Sequence, residues 1–378
     1  MVEKESNRIR ILFTIPNFDT AGSGKALMNI VTRLDKNIFE PHIACLHNKG
    51  NYFKVVKQSK IPIHIFDFIS VMSNRLKGFV ACWKIARKFK SINPDIIHSF
   101  NYSSDYSEAL AAKIIGITWI YTKKNMNWGG KSKNSWKLRH FLSKHVIVQN
   151  TDMIREFFYN HKKVTLVPRG VDVTTFNMSN SPNTILNNYG IKSNNKILLT
   201  VANLVPVKGI EILIQAFDKI YENNKNICLF IVGENNNKYG RKLIEMVASL
   251  DSRDKIIFTG KLDNIVDYFK ISDIFVLPTL NKGRKEGCPV ALLEALASGI
   301  PSIGSSIPGI KDILSPFPEY LFEPGSVVSL IDKINYILAI DELDIVKNKF
   351  RNYIKNNYDI NIEVKKHEEI YSRISLLK

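Results

Sequence analysis

Short apolar runs alternate with longer amphipathic segments along most of the chain. Buried β-branched runs, each followed by a segment of helical period, are typical of β-α units that build a parallel sheet. The predicted strands lie at residues 8–16, 42–47, 63–66, 94–100, 146–149, 196–202, 227–233, 256–260 and 273–278. The pattern therefore predicts an α/β protein whose ligands bind at the carboxyl ends of parallel strands.

A polar stretch rich in Asn and Ser, residues 177–195, interrupts this alternation. A chain of 378 residues is long enough for two domains that each bury a core. We therefore predict one domain over residues 1–178 and a second over residues 179–360, followed by a helix over residues 361–378.

Residues 286–301, EGCPVALLEALASGIP, predict a buried helix that begins near a proline and is ended by a Gly-Ile-Pro sequence. Because the surrounding positions are apolar, the charge of Glu294 inside this helix requires a polar partner or a cavity. The alternative is that Glu294 points to solvent at the rim. Glu286 precedes the helix, where free backbone amides favour an anionic ligand.

This stretch has the form E-G-x5-L-x-E-A-x-A-x-G-x-P and resembles the E-x7-E signature of retaining family-4 glycosyltransferases, which have the GT-B fold. The resemblance implies two facing Rossmann-like domains with parallel sheets and a central cleft. It also implies that Glu286 contacts the donor sugar and that Glu294 contacts the ribose of the nucleotide. It further implies that the helix over 361–378 packs back on the first domain.

Residues 201–209 are similar to the family's V-A-R-L-x-x-x-K-G segment, although Asn203 stands where the family has Arg. The resemblance implies that Lys208 neutralises the donor diphosphate and acts with Glu286 in catalysis. Lys261, Arg169 or Arg284 could supply the second cation. The expected donor-binding residues are Gly22, Ser23, Gly24, Asn203, Lys208, Leu262, Glu286, Gly287, Cys288, Pro289, Val290 and Glu294.

Residues 21–26, AGSGKA, do not form a Walker A motif, because that motif requires Gly at 19 and Ser or Thr at 26. They predict a glycine loop over 17–25, before a helix that begins near 26, and in the family such a loop faces the diphosphate. Residues 94–100, PDIIHSF, resemble the family's D-x-x-H strand, which implies that His98 lies near the donor as a catalytic residue. The alternative is a structural histidine.

The two halves of the chain differ in charge. Residues 1–178 contain 28 Lys and Arg against 12 Asp and Glu, whereas the remaining residues contain 25 against 23. This asymmetry predicts an anionic partner for the first half. We expect an anionic membrane surface, contacted through residues 75–90 and 123–145, and we consider nucleic acid unfavoured.

Each of these two segments has an alternative interpretation. The predicted helix over 75–89 could pack on the sheet through Phe79, Val80, Trp83, Ile85 and Ala86 instead of facing a membrane. The segment 123–145 mixes Trp128 and Trp136 with Lys131, Lys133, Lys137 and Arg139, and it could be a solvated basic loop. A lysine-rich composition of the source proteome could also explain part of the charge.

No Asp-x-Asp motif is present, so we expect neither a metal nor a cofactor, the nucleotide sugar being a substrate. Four widely spaced cysteines favour a reducing cytosol, and neither a signal-peptide region nor a run long enough to span a membrane is evident. The resemblance implies retaining transfer from a UDP-sugar to a lipid-linked saccharide at the inner face of the cell membrane. The alternatives are a GT-B sugar-nucleotide epimerase and a basic nucleic-acid-directed glucosyltransferase or nucleic-acid-binding protein.

Overall fold

The structure, a computed structural model, describes residues 8–19, 21–50, 52–72, 74–126, 132–158, 161–176, 183–262, 264–283 and 286–376, and for residues 21, 75 and 183 only the backbone. The chain divides into two compact units, Met1–Arg169 with Ile360–Lys378 and Gly170–Asp359. The sequence predicted the corresponding boundaries at residues 178 and 360. The α/β class with parallel sheets is confirmed in both units.

The first unit is built on a seven-stranded parallel sheet of order β3-β2-β1-β4-β5-β6-β7. Its strands are β1 (Ile9–Thr14), β2 (Phe39–Cys45), β3 (Ile63–Ile65), β4 (Ile96–Ser99), β5 (Thr118–Lys123), β6 (His145–Val148) and β7 (Val164–Leu166). Its helices are α1 (Ala21–Val31), α2 (Phe53–Gln58), α3 (Arg75–Ile92), α4 (Ser107–Ile114), α5 (Lys133–Leu142), α6 (Thr151–Phe157) and α15 (Ile360–Ser375).

Two apolar layers cover this sheet. One layer combines α1 and α15 with the inward residues of β1 and β2. In this layer the ring centroids of Phe13 and Tyr371 lie 6.0 Å apart. The other layer contains residues of α3, α4 and α5. Because both faces are covered by helices, the strands are buried on both sides, as parallel strands usually are.

The second unit is built on a six-stranded parallel sheet of order β10-β9-β8-β11-β12-β13. Its strands are β8 (Lys196–Val201), β9 (Ile227–Val232), β10 (Ile256–Gly260), β11 (Ile274–Leu277), β12 (Ser302–Ser305) and β13 (Leu321–Phe322). Its helices are α7 (Asn183–Asn188), α8 (Ile210–Asn223), α9 (Lys238–Ala248), α10 (Val266–Lys270), α11 (Val290–Ala297), α12 (Ile310–Ile313), α13 (Val327–Leu338) and α14 (Leu343–Asn357).

The strand order of each unit reverses beside one strand. In the second unit the chain leaves β8 towards β9 on one side, and β11 pairs with β8 on the other. Helices therefore depart in opposite directions at the carboxyl ends of β8 and β11. A crevice at such a switch point is where open α/β sheets bind ligands.

The prediction of a glycine loop over 17–25 is wrong. Helix α1 begins at Ala21, so that Gly22, Ser23 and Gly24 form its first turn. A Cβ on Gly24 would lie 2.8 Å from the Phe18 ring and 2.9 Å from the Tyr52 ring. Close packing of these aromatic rings therefore requires glycine at position 24, a reason that the sequence pattern does not reveal.

The segment 123–145, predicted as a basic loop, contains a helix and divides between buried and exposed residues. Lys123, Trp136 and Arg139 are all buried, and Lys133–Leu142 is helix α5. The Arg139 guanidinium donates hydrogen bonds to Ser99 Oγ and the Asn101 carbonyl, each at 3.0 Å. Arg139 and Lys123 therefore do not face a membrane. Lys133 and Lys137 are exposed on α5, so the predicted membrane contact through this segment stays a prediction; Trp128 and Lys131 lie outside the described residues.

Helix α3 is present as predicted and extends three residues further, to Ile92. It packs on the sheet through Cys82, Ile85 and Phe89. The predicted packing residues Phe79, Val80 and Trp83 instead lie on its outer side, 56%, 54% and 49% exposed. In the part of the chain that the structure describes, no helix is both long and apolar enough to cross a membrane.

Candidate active site

Lys208 is held at the carboxyl end of β8 by a tight turn. The chain makes one 3-10 turn over Pro206–Lys208 and enters α8 through Gly209, whose φ is +63°. A Cβ on Gly209 would lie 2.3 Å from the carbonyl oxygen of Pro278, just after β11. Only glycine combines this left-handed backbone with such close packing, which brings Lys208 next to the end of β11.

Lys208 pairs with Glu286 at that position. Lys208 Nζ donates to Glu286 Oε1, and the buried Thr279 hydroxyl lies 3.4 Å from the same carboxylate oxygen. The side chains of Lys208 and Glu286 are 19% and 18% exposed. The structure thus unites two residues that are 78 positions apart in sequence and that the motifs predicted to share a site.

The N-terminal end of α11 is fixed close to this pair. Pro289 is the N-cap residue of α11. On its other side, Gly309 has a φ of +81°, and a Cβ there would lie 2.5 Å from the Gly287 carbonyl oxygen. The segment after β12 therefore packs directly on residues 286–287. Cys288, half-buried and not part of a disulfide, lies between them and the helix.

Glu294 lies in the second turn of α11. It is 6% exposed, so the alternative in which it points to solvent at the rim is wrong. A carboxylate at this depth is costly to bury unless polar groups meet it. Its position on the helix that starts beside Glu286 agrees with the spacing on which the resemblance rests.

Two further predicted donor residues lie at the same edge of the second unit, whereas Gly22, Ser23 and Gly24 belong to the first unit. Asn203 follows β8 and is exposed, and Leu262 follows β10 and is half-buried. Of the cations proposed to replace the family arginine, Lys261 is exposed at this edge and Arg284 lies outside the described residues. Arg169 belongs to the first unit and is buried in an ion pair with Glu363 at 3.3 Å.

His98 lies in the interior of the first unit. Its side chain has no exposed surface, and its ring nitrogens lie 2.7 Å from the Tyr371 hydroxyl and 2.8 Å from Thr122 Oγ1. Burial holds the pKa of His98 well below its ordinary value, so the imidazole is neutral. These contacts suit a residue that positions its neighbours, and the predicted contact with the donor stays a prediction.

The sequence analysis did not identify a buried carboxylate in the first unit. Glu108, in the first turn of α4, accepts hydrogen bonds from the hydroxyls of Thr14 and Ser99, the last residues of β1 and β4. Burial raises the pKa of Glu108, and the nearby Arg139 opposes this shift. The available signal was a lone acid in the apolar segment SEALAAKI, the same kind of signal that identified Glu294.

The second unit thus offers a lysine, two carboxylates and a helix N-terminus at a strand switch point. This set suits a ligand that combines phosphate groups with hydroxyls, since the cation and the amides bind anions and carboxylates accept from hydroxyls. Within the described ranges, no three His, Cys, Asp or Glu side chains are grouped so as to hold a metal ion.

A Rossmann-like unit with this site, joined to a second parallel-sheet unit, defines a glycosyltransferase of the GT-B fold. Two family models match the chain: Glycosyltransferase Family 4 at residues 20–175 and Glycosyl transferases group 1 at residues 183–358. The chain belongs to the family-4 glycosyltransferases, as the E-x7-E signature indicated.

Individual proteins agree with this assignment. The chain is 27% identical over 320 residues to the Escherichia coli UDP-Gal:alpha-D-GlcNAc-diphosphoundecaprenol alpha-1,3-galactosyltransferase, covering 78% of this chain and 79% of that protein. A glycosyltransferase from Rickettsia africae superimposes with a TM-score of 0.86 at 21% identity, over 98% and 99% of the two chains. Anabaena HepE in complex with UDP gives 0.81 at 17% identity, over 97% and 100%.

Proposed function

We propose that this protein is a retaining glycosyltransferase that moves a sugar from a UDP-sugar to a lipid-linked saccharide during synthesis of a cell-surface polysaccharide. The observation that carries the proposal is the Lys208–Glu286 pair beside the N-terminus of α11, with Glu294 on the same helix. This arrangement provides separate groups for the phosphates, the sugar and the ribose of one ligand.

Each group has a distinct role in the proposed reaction. Lys208 and the amides near Gly287 stabilise the charge that develops on the departing diphosphate. Glu286 holds the donor sugar by its hydroxyls, and Glu294 binds the ribose. The bond from the anomeric carbon to the phosphate oxygen breaks, and the acceptor oxygen bonds to the same face of that carbon. The acceptor proton leaves with the diphosphate.

The Lys208–Glu286 contact is the resting arrangement in this proposal. Because Lys208 must reach the diphosphate and Glu286 the sugar, donor binding separates the two side chains. Lys208 and the helix amides then supply the positive charge that a metal ion provides in other transferases, so we propose that turnover needs no metal.

We infer the proposed substrates from the names of similar proteins. The E. coli relative is named for UDP-Gal and for an acceptor on diphosphoundecaprenol, and HepE is described in complex with UDP and glucose. A Salmonella typhimurium relative, 27% identical over 205 residues, is named as a lipopolysaccharide 1,2-N-acetylglucosaminetransferase. By analogy, we propose that this enzyme works in the cytoplasm, at an anionic membrane surface that carries its acceptor.

Thermal shift with a panel of nucleotides tests the donor assignment. UDP and UDP-sugars should raise the melting temperature more than GDP, ADP or their sugars, because a ligand stabilises the fold that binds it. Glu294→Ala should abolish the UDP shift, whereas the exposed control Glu245→Ala on α9 should keep it. A shift with GDP or ADP but not with UDP would refute the UDP assignment.

Product analysis tests the reaction. With a lipid-linked acceptor, the new glycosidic bond should keep the donor's anomeric configuration in an NMR spectrum, and UDP should be released in equal amount. Inversion at the anomeric carbon would refute the retaining mechanism. Conversion of one UDP-sugar into another without acceptor or UDP release would instead establish an epimerase.

A further inference from the structure

Helix α3 exposes an apolar stripe on its outer side. Leu76, Phe79, Val80 and Trp83 are 83%, 56%, 54% and 49% exposed, and Val71 just before the helix is 78% exposed. These helical residues recur at intervals of three and four positions, so they form one continuous stripe. An apolar stripe of this length on a helix of a soluble unit usually marks an interaction surface.

This stripe has no role in holding α3 in place. The opposite side of the helix carries the residues that pack on the sheet, among them Cys82, Ile85 and Phe89. Asn74 caps the helix by accepting a hydrogen bond from the Lys77 amide at 3.1 Å. The outer residues can therefore be replaced without removing a core contact.

The positive charge of α3 indicates which kind of partner binds this stripe. Its sequence, RLKGFVACWKIARKFKSI, contains six Lys and Arg and no Asp or Glu. The exposed Lys84, Arg87 and Lys88 follow the apolar stripe along the helix, and the Arg87 guanidinium lies 5.0 Å from the centre of the Trp83 ring. A second copy of the same face would bring like charges together, which disfavours self-association through it.

An anionic lipid surface matches both properties at once. Interfacial helices combine Trp, Phe and Leu on one face with Lys and Arg that reach the headgroups, and aromatic side chains favour the boundary between headgroups and acyl chains. An acidic protein would satisfy the cations but would need a shaped apolar site to cover Leu76 and Phe79. A bilayer needs no such shape.

We propose that the outer face of α3 is the membrane-docking element of this enzyme, with Leu76, Phe79 and Trp83 inserted at the interface and Lys84, Arg87 and Lys88 on lipid phosphates. The proposal rests on the proposed lipid-linked acceptor, which an enzyme bound to the surface would meet there. The other predicted contact, through residues 123–145, stays a prediction, since Lys123 and Arg139 are buried there whereas Lys133 and Lys137 are exposed.

Co-sedimentation with vesicles tests the proposal. The wild-type protein should pellet with phosphatidylglycerol vesicles at low salt and stay in solution with phosphatidylcholine vesicles. Replacing Leu76, Phe79 and Trp83 by Ser should weaken binding at least tenfold. The matched control replaces Val328, Tyr336 and Ile345 by Ser, exposed apolar residues of the second unit, and should bind like the wild type.

Two further measurements separate this proposal from the proposed function. The α3 variant should keep the wild-type melting temperature and its shift with UDP, so that a loss of binding reflects the surface alone. Full vesicle binding by the α3 variant would overturn the docking proposal while leaving the donor assignment intact. Wild-type protein that stays in solution with phosphatidylglycerol vesicles would also overturn the docking proposal. The same holds if the protein binds duplex DNA as tightly as these vesicles and the α3 substitutions abolish the DNA binding.

The fluorescence of Trp83 measures how deeply α3 inserts into the bilayer. Trp119 and Trp136 are buried, so in a Trp128→Phe background Trp83 is the exposed tryptophan. Vesicles with brominated acyl chains should quench its fluorescence, and the additional change Trp83→Phe should remove that quenching. Bound protein whose Trp83 emission is insensitive to brominated lipid would contradict insertion of α3.

Discussion

The Lys208–Glu286 pair makes opposite predictions for its two members. Lys208→Met removes the cation that we assign to the diphosphate. The loss of a charged hydrogen bond to a ligand costs about 1.5–3 kcal/mol, which corresponds to a decrease of about 10- to 150-fold in affinity for UDP. Lys208→Arg should restore part of this loss, because it keeps the charge but not the geometry.

Glu286→Gln should leave UDP affinity unchanged or higher. In the free enzyme Glu286 holds Lys208 in an ion pair whose members are only 19% and 18% exposed. The carboxylate therefore competes with the diphosphate for the same cation, and its neutralisation removes the competitor. Turnover should nevertheless fall, because Glu286 is the group that we assign to the donor sugar.

Isothermal titration with UDP measures the first effect and initial rates with a UDP-sugar measure the second. The control variant is Lys219→Met, which breaks the exposed pair of Lys219 with Glu222 at 2.7 Å at the far end of α8. It should change neither quantity. If Glu286→Gln and Lys208→Met lose UDP affinity equally, the pair is a structural unit of the site and the separate roles are incorrect.

Three other outcomes are expected. Initial rates should survive saturating EDTA, and activity that EDTA abolishes and Mn²⁺ or Mg²⁺ restores would contradict the metal-free diphosphate site. Gly209→Ala should lower the free energy of unfolding in urea by about 2 kcal/mol or more, well beyond Gly190→Ala, because both have a φ of +63° but a Cβ at 190 meets nothing within 4 Å. Burial lowers the pKa of His145 and of His367 to about 4, so the unfolded chain binds more protons below its histidine pKa of about 6.5 and stability falls as the pH drops from there towards 4. At pH 5 the two histidines together should lower the free energy of unfolding by about 4 kcal/mol relative to pH 7. If urea denaturation gives the same free energy of unfolding at both pH values, the two histidines are not buried as neutral groups.

The sequence could predict the candidate site because its residues lie in the segments that connect strand ends to the following helices. Lys208 and Glu286 each stand a few residues beyond a buried apolar run, and parallel strands bring such ends to one edge. The burial of Arg139 could not be predicted in this way. Its partners Ser99 and Asn101 are about 40 positions away, and the aromatic rings of Trp119 and Tyr121 that cover it come from another strand.

The orientation of α3 was ambiguous for a different reason. Apolar residues occur on both sides of this helix, so periodicity alone does not decide which side meets the sheet. The structure assigns the inner side to Cys82, Ile85 and Phe89 and leaves Phe79 and Trp83 outside. Similarly, the first turn of α1 was interpreted as a loop because Gly22 and Gly24 are weak helix formers, whereas the structure explains Gly24 by its close approach to two aromatic rings.

The return of α15 to the first unit determines when that unit can finish folding. Residues 170–359 intervene between its sheet and α15, and the contact of His98 with Tyr371 spans 273 positions. During synthesis the second unit is therefore complete before the first one, although the first begins earlier. Until α15 emerges, the part of Phe13 and Phe39 that the Tyr371 ring covers stays exposed, and exposed apolar surface of this kind favours aggregation of the nascent chain.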